Sequence, residues 1–254
     1  MNTFDFMCTL TYLLTNSGYE LFFNRDEQHQ RPLALVPQLN DPCCAVFPID
    51  PQGEGTWLAV NKSGLTLALL NYYQACNNTA EQEFISRGQL IPNILLALVK
   101  FPTVAVIDLL NTMDLTIYQP FQLAIFPHNL TKNKAKVDFY QWNGKKLRLT
   151  IQHQPFTSSG VDFEYVEKQR KNKFKQLICP INATREQFKA FHLSQETEGK
   201  YSVNMVRFDA KTVSISHILV KNLPTVPTSN ELDKDITFNY IDNINHQEHQ
   251  VKLS

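Results

Sequence analysis

Two strand-like runs, Cys8 to Leu14 and Tyr19 to Phe23, are separated only by a short turn-forming stretch that contains Asn16-Ser17-Gly18. Runs this close can pair only as an antiparallel hairpin, because a parallel return needs a crossover of a dozen or more residues. A second pair, Thr56 to Val60 and Leu65 to Leu70, repeats the arrangement around Gly64. Its later strand shows little polar alternation, which fits a strand covered on both faces. Helical spacing then runs from Glu81 to Val99, where Pro92 is expected to kink or split the helix, and again from Val104 to Met113. Strands return at Phe121 to Phe126, Val137 to Trp142 and Lys145 to Ile151. A long helix is expected over Asp162 to Ile178, with Phe163, Val166, Arg170 and Phe174 near one face, and a shorter one over Arg185 to Phe191. Tyr201 to Val206, Thr212 to Val220 and Ile236 to Tyr240 read as closing strands. Gln38 to Gln52, Lys132 to Lys136 and the tail after Asn222 read as loops or irregular chain. Blocks of strands alternating with blocks of helices imply an α+β fold of mainly antiparallel sheets, stacked in pairs between helical layers.

Charge narrows the partners. The chain carries 24 basic and 24 acidic side chains, so its zero formal charge favours neither nucleic acid nor an anionic membrane surface. Its five cysteines (Cys8, Cys43, Cys44, Cys76 and Cys179) are odd in number and include an adjacent pair, a poor disulfide framework that points to a reducing compartment. Leu10 to Leu14 is too short to span a membrane, and Asp5 stands where a signal peptide carries positive charge. These features read as one cytoplasmic domain without a membrane segment, undivided by any repeat or linker and compatible with a homo-oligomer.

The hairpin also assembles chemistry. If its turn centres near Asn16 to Gly18, Cys8 falls opposite Arg25 or Asp26. A thiol reacts as its thiolate, with an ordinary pKa of about 8.5, and a neighbouring guanidinium lowers that value. Asp26, with a pKa near 4, cannot serve as base at neutral pH but can orient a cation or an amine. None of the seven histidines is spaced to act as base, and His192 and His217 read as exposed or hydrogen-bonded residues. The Met7-Cys8 pair offers another base. If residues 1–7 are a leader or a misassigned start, their removal leaves Cys8 first, with an α-amine of pKa about 7.7–8.0 beside its own thiol. The amide nitrogen of an internal Cys8 has no such lone pair. The competing reading makes Cys8 a small buried hydrophobe beside a charged strand end.

Met7-Cys8, the "NRDE" of Asn24 to Glu27 and the following Arg31-Pro32 resemble the start of the NRDE family, also named for transport and Golgi organisation protein 2. Gly53 to Tyr73 ("GEGTWLAVNKSGLTLALLNYY"), Ser86 to Leu90 ("SRGQL"), Tyr118 to Leu123 ("YQPFQL"), Phe191 to Gln195 ("FHLSQ") and Tyr201 to Ile218 are similar to further family blocks, so the resemblance covers nearly the whole chain. It implies a four-layer αββα sandwich of the N-terminal-nucleophile hydrolase type, formed by residues 8–254. Related bile salt hydrolases and penicillin V acylases cleave linear amides. Their Cys, Arg and Asp carry over to Cys8, Arg25 and Asp26, and their oxyanion-hole asparagine to Asn71. An amide donated to an oxyanion is worth about 3–4 kcal/mol; the alternative role for Asn71 is to cap a turn.

Asn24 and Glu27, from the same polar run, are candidate substrate contacts. The relatives' second asparagine is replaced by Thr157-Ser158-Ser159-Gly160, where Ser159 or its neighbour either substitutes or caps the helix at Asp162. Arg207 and Lys211 are the candidates for a late basic residue that binds a substrate carboxylate, or else makes a surface ion pair. Trp57 reads as core, and Gly53 and Gly55 as loop formers. The implied function is a cysteine amidohydrolase that requires no metal or cofactor. The alternative is a non-catalytic carrier using the same cleft for haem or another amphipathic ligand.

Overall fold

The computed structural model describes residues 7–75, 83–134, 136–196, 199–223 and 234–253. Along the chain, β1 (Met7–Thr15) and β2 (Gly18–Gln28) come first, followed by β3 (Leu35–Asn40), β4 (Ala45–Ile49), β5 (Leu58–Asn61) and β6 (Thr66–Asn71). Helices α1 (Leu90–Lys100) and α2 (Val106–Thr112) lead to β7 (Phe121–Phe126), β8 (Asp138–Trp142), β9 (Leu147–Leu149) and β10 (Phe156–Ser159). Helices α3 (Phe163–Leu177) and α4 (Arg185–Leu193) precede β11 (Ala210–Asn222), β12 (Lys234–Asp242) and β13 (Gln247–Leu253).

The strands form two antiparallel sheets. One has the order β10-β1-β2-β11-β12-β13, and the other runs in sequence from β3 to β9. The sheets face each other across a core that includes Leu10, Tyr19, Leu21 and Phe23 from the first sheet and Val46, Leu58, Val60, Ala68 and Phe126 from the second. Helices α1 and α2 bury Ile91, Ile94, Leu95 and Leu110 against the outer face of the second sheet. Helices α3 and α4 cover the outer face of the first around Phe22, Val166, Phe188 and Phe191. The result is an α+β fold compatible with a sandwich of helices, sheet, sheet and helices.

β2 explains the layering most directly. Its residues alternate between the inter-sheet core (Tyr19, Leu21, Phe23) and the helical side (Phe22, Asn24), yet all but the last are buried. Continuing the alternation puts Arg25 and Glu27 on the inner face and Asp26 on the outer.

Several expectations need correction. The helix expected from Glu81 begins at Leu90, after a single 3₁₀ turn at Arg87–Gln89 capped by the Ser86 hydroxyl; residues 81 and 82 lie outside the described residues, as does Cys76. Pro92 makes no kink, because it occupies the first helical turn, where its missing N–H has no partner to lose. Gln38 to Gln52 is not a loop: it holds the end of β3 and all of β4, which were hidden by Pro37 and Pro48 and by the exposure of β3 at a sheet edge. The polar edge strand β13 likewise lies in the tail read as irregular. Tyr201 to Val206 forms no ladder strand. Its Ser202 and Val203 carbonyls accept from the Arg170 and Asn24 side chains instead. Thr157 to Ser159 is not a helix-capping turn but part of β10, paired with β1.

Candidate functional site

Cys8 sits directly opposite Arg25 across β1 and β2, and opposite Ser158 on β10. Both Cys8 and Arg25 line a cleft of about 380 Å³ at one end of the inter-sheet core. Glu27, Arg31, Asp50, Trp57 and Asn71 share that lining, and the backbone strap Phe84 to Gly88 forms its opposite wall. The strap is fixed by backbone contact with the Gly53-Glu54-Gly55-Thr56 loop, where the Thr56 N–H donates to the Gly88 carbonyl at 2.9 Å.

Charges on the cleft floor are paired in a quartet. The Arg25 guanidinium lies 2.8 Å from Glu27 and 3.6 Å from Asp50, and Arg31 reaches the same two carboxylates at 3.4 and 2.5 Å. Arg25 also stacks over the Trp57 ring, 4.3 Å from its centroid, which fixes the guanidinium plane. Burial alone would raise the Asp50 pKa, but Arg31 and Arg25 outweigh it and hold the carboxyl below its ordinary value. Burial wins at Glu27, whose pKa is raised despite both arginines.

Around Cys8 the balance favours the neutral thiol. Burial pushes its pKa up to about 12, with the Asp26 carboxylate adding to the rise; the Asp26 backbone N–H and the Arg25 guanidinium oppose it. Asp26 therefore acts on Cys8 in two opposite ways. Its amide supports a thiolate, while its carboxylate lies on the outer face, where the Arg170 guanidinium (3.0 Å) and the Thr212 hydroxyl (2.5 Å) donate to it. With an amide at its own nitrogen, Cys8 lacks an α-amine to take its proton, and burial keeps the thiol neutral at pH 7.

The sequence-derived candidates divide by face. Cys8, Arg25, Asp26, Glu27 and Asn71 meet at the cleft. Asn71 leaves β6 there and donates through Nδ2 to the Tyr73 hydroxyl at 2.6 Å. Asn24, Ser159, Arg207 and Lys211 are not among the lining residues. Asn24 is buried on the outer face, donating to the carbonyls of His192 (2.8 Å) and Val203 (2.9 Å). Ser159 faces away from Cys8 and bonds Val161 through its hydroxyl. Arg207 is held by Asp209 at 2.8 and 2.6 Å and lines a separate cleft beside Met7 and Phe208. Lys211 pairs with Glu27 in the β2–β11 ladder.

Sequence reading assigned no role to Arg31, Asp50 or Arg170 and placed Trp57 only in the core. The available signals were Arg31-Pro32 next to the acidic run and one charged residue, Arg170, on the apolar face of a helix. Among the described residues, no three His, Cys, Asp or Glu side chains are grouped to hold a metal ion, and no helix is long and apolar enough to cross a membrane.

The family model for Transport and Golgi organisation 2 matches residues 7–240. The chain belongs to that family. The match begins at Met7, the residue before the nucleophile candidate, and spans both sheets of the fold. No curated protein matches the chain. Three of the blocks that carry the family resemblance meet at the cleft: the "NRDE" strand supplies its floor, while "GEGTW" and "SRGQL" form the wall.

Proposed function

We propose that this family member is a cysteine N-terminal-nucleophile hydrolase acting on a non-peptide amide bond, active once Cys8 is the first residue. The observation that carries this reading is the placement of Cys8: at the start of an inner strand, facing Arg25, and open to a polar cleft. The stacked sheets between helices support the corresponding hydrolase-like fold. No metal or cofactor is required.

The chemistry follows from the residues. The α-amine of Cys8 takes the thiol proton as Sγ attacks the substrate carbonyl carbon, and Arg25 and the Asp26 amide stabilise the developing thiolate. Asn71, on the cleft wall, donates to the oxyanion. Collapse breaks the carbon–nitrogen bond, and the amine that leaves takes the proton from the α-ammonium. Water, deprotonated by the same α-amine, then hydrolyses the thioester and releases the acid. Carriage of haem or another amphipathic ligand draws less support from this cleft, whose lining among the described residues includes a neutral thiol and a charge quartet but no imidazole.

Intact mass of the natural protein, followed by incubation with a panel of acyl amides, tests the proposal. The expected results are a chain that starts at Cys8 and an acyl adduct that disappears in Cys8→Ala. Hydrolysis at the parental rate by Cys8→Ala would overturn it.

A further inference from the structure

We infer that Arg170 is a positioning residue for Cys8, fastening the ends of β1 and β2 from the outer face so that the thiol stays aligned with the Asp26 amide and Arg25. The inference rests on the hydrolase reading above and adds to it a residue that never enters the cleft.

Arg170 projects from α3 and is 1% exposed, the largest side chain among the fully buried ones. Its two terminal nitrogens divide four acceptors. Nη1 donates to the Thr9 hydroxyl and lies 3.5 Å from the Cys8 carbonyl oxygen. Nη2 donates to Asp26 Oδ2 at 3.0 Å and to the Ser202 carbonyl at 2.8 Å. One planar fork thus grips the nucleophile's own carbonyl, the next residue on β1, and the residue on β2 whose amide meets the thiol.

Packing alone does not explain this choice. On the same outer face of the sheet, Met7, Val166 and Met205 form an apolar buried cluster. A buried ion pair is commonly neutral or even stabilising to replace with hydrocarbon. Arg170 Nε, moreover, is buried without a hydrogen-bond partner, which is itself a cost. A geometric role accounts for the expense. Because the Asp26 carboxylate and amide belong to one residue of one strand, holding the carboxylate on the outer face fixes the backbone of that residue, and with it the in-plane direction in which its amide meets the Cys8 thiol.

The test uses the chain beginning at Cys8 and the activated ester p-nitrophenyl acetate. Sγ forms the thioester as the ester C–O bond breaks and p-nitrophenolate leaves, with the thiol proton passing to the α-amine. S-acetylation of Cys8 is followed by peptide mass from pH 5 to 9 in the parent, Arg170→Lys, Arg170→Met and the double variant Asp26→Asn/Arg170→Met. The charged groups around Asp26 are Arg170 on α3, Arg207 ahead of β11, and Arg25 and Glu27 on its own strand; His192 on α4 is a neighbour of Arg170. The double variant leaves no unpaired buried charge and is expected to fold, yet to acetylate at least tenfold more slowly. Arg170→Lys is expected to recover part of that rate. In Arg170→Met, loss of the counter-charge moves the acid limb of the profile upward by about one pH unit, a change that lost packing alone would not produce. Parental rate and pH profile in a folded double variant would overturn the inference; if that variant does not fold, the same result in Arg170→Lys does so. A folded parent with no Cys8 acetylation would instead sink the hydrolase reading, and this inference with it.

Discussion

Gly55 and Gly88 pack backbone against backbone: a Cβ on Gly55 would stand 2.2 Å from the Gly88 carbonyl carbon. This contact joins the two motifs that wall the cleft, and only hydrogen fits between them. Gly55→Ala must therefore push the strap at Ser86–Gly88 away from the Thr56 N–H, a cost of about 1–3 kcal/mol for an overpacked site. Gly88→Ala, whose nearest contact would be 3.2 Å, is expected to cost less. Urea denaturation of the two variants should give that order.

Cys8 and Cys179 should separate cleanly by alkylation. In the chain that retains residues 1–7, Cys8 is held as a thiol, with a pKa of about 12 dominated by burial. Cys179 is exposed, and backbone N–H groups of Asn182 and Ile181 lower its pKa. Iodoacetamide at pH 8, followed by peptide mapping, is expected to modify Cys179 at least tenfold faster. Removing residues 1–7 should bring Cys8 into the reactive class, because it gains the α-amine.

The hairpin was legible because register is set by turn geometry: with the turn where Asn16 to Gly18 put it, Cys8 could meet only Arg25 or its neighbour, and it meets Arg25. What hairpin register does not convey is the opposite wall of the cleft. Asp50 and the strap at Ser86–Gly88 reach Arg25 only through the stacking of one sheet on the other, and such contacts carry no local spacing signal. Asp26 shows a subtler gap. Adjacent strand residues point to opposite faces, so Arg25 and Asp26 could never both turn their side chains toward the thiol. The edge strands β3 and β13 were missed because Pro37 and a run of polar residues break the alternation by which buried strands are recognised.

His192 should make acid destabilisation begin near pH 6.5. It is buried on the outer face between Thr11 and Asn24, and burial, followed by the nearby Arg170 and His217, lowers its pKa to about 3. The unfolded chain therefore takes up a proton below 6.5 that the folded chain refuses until about 3, so stability is present above that window and is lost as pH falls through it. The slope is about 1.4 kcal/mol per pH unit. Asp26, raised to about 6 chiefly by burial, pulls the other way because the folded state binds its proton first. The informative quantity is hence the difference from His192→Gln, which should lose stability at neutral pH but show a flatter curve between pH 6.5 and 4.5. Chemical denaturation at stepped pH measures it, and parallel curves would contradict this account.

Glu20 governs the next, more acidic window. Burial would raise its pKa, but hydrogen bonds from His217 (2.8 Å) and Arg185 (2.6 and 2.8 Å) outweigh that and hold it at about 2. A depressed carboxyl contributes stability that is fully present above its unfolded value of 4.5 and is lost as pH falls toward 2. The Arg185 side chain is 41% exposed, so solvent screens part of the interaction and the slope should fall below about 1.4 kcal/mol per pH unit. Glu20→Gln cannot titrate and should start less stable at pH 7, then lose no stability from this site below 4.5. Because the Glu20 window opens only below 4.5, the fall from pH 7 to 5.5 should be flattened by His192→Gln and left unchanged by Glu20→Gln, whereas the further fall from 5.5 to 3 carries both residues and should shrink in either variant.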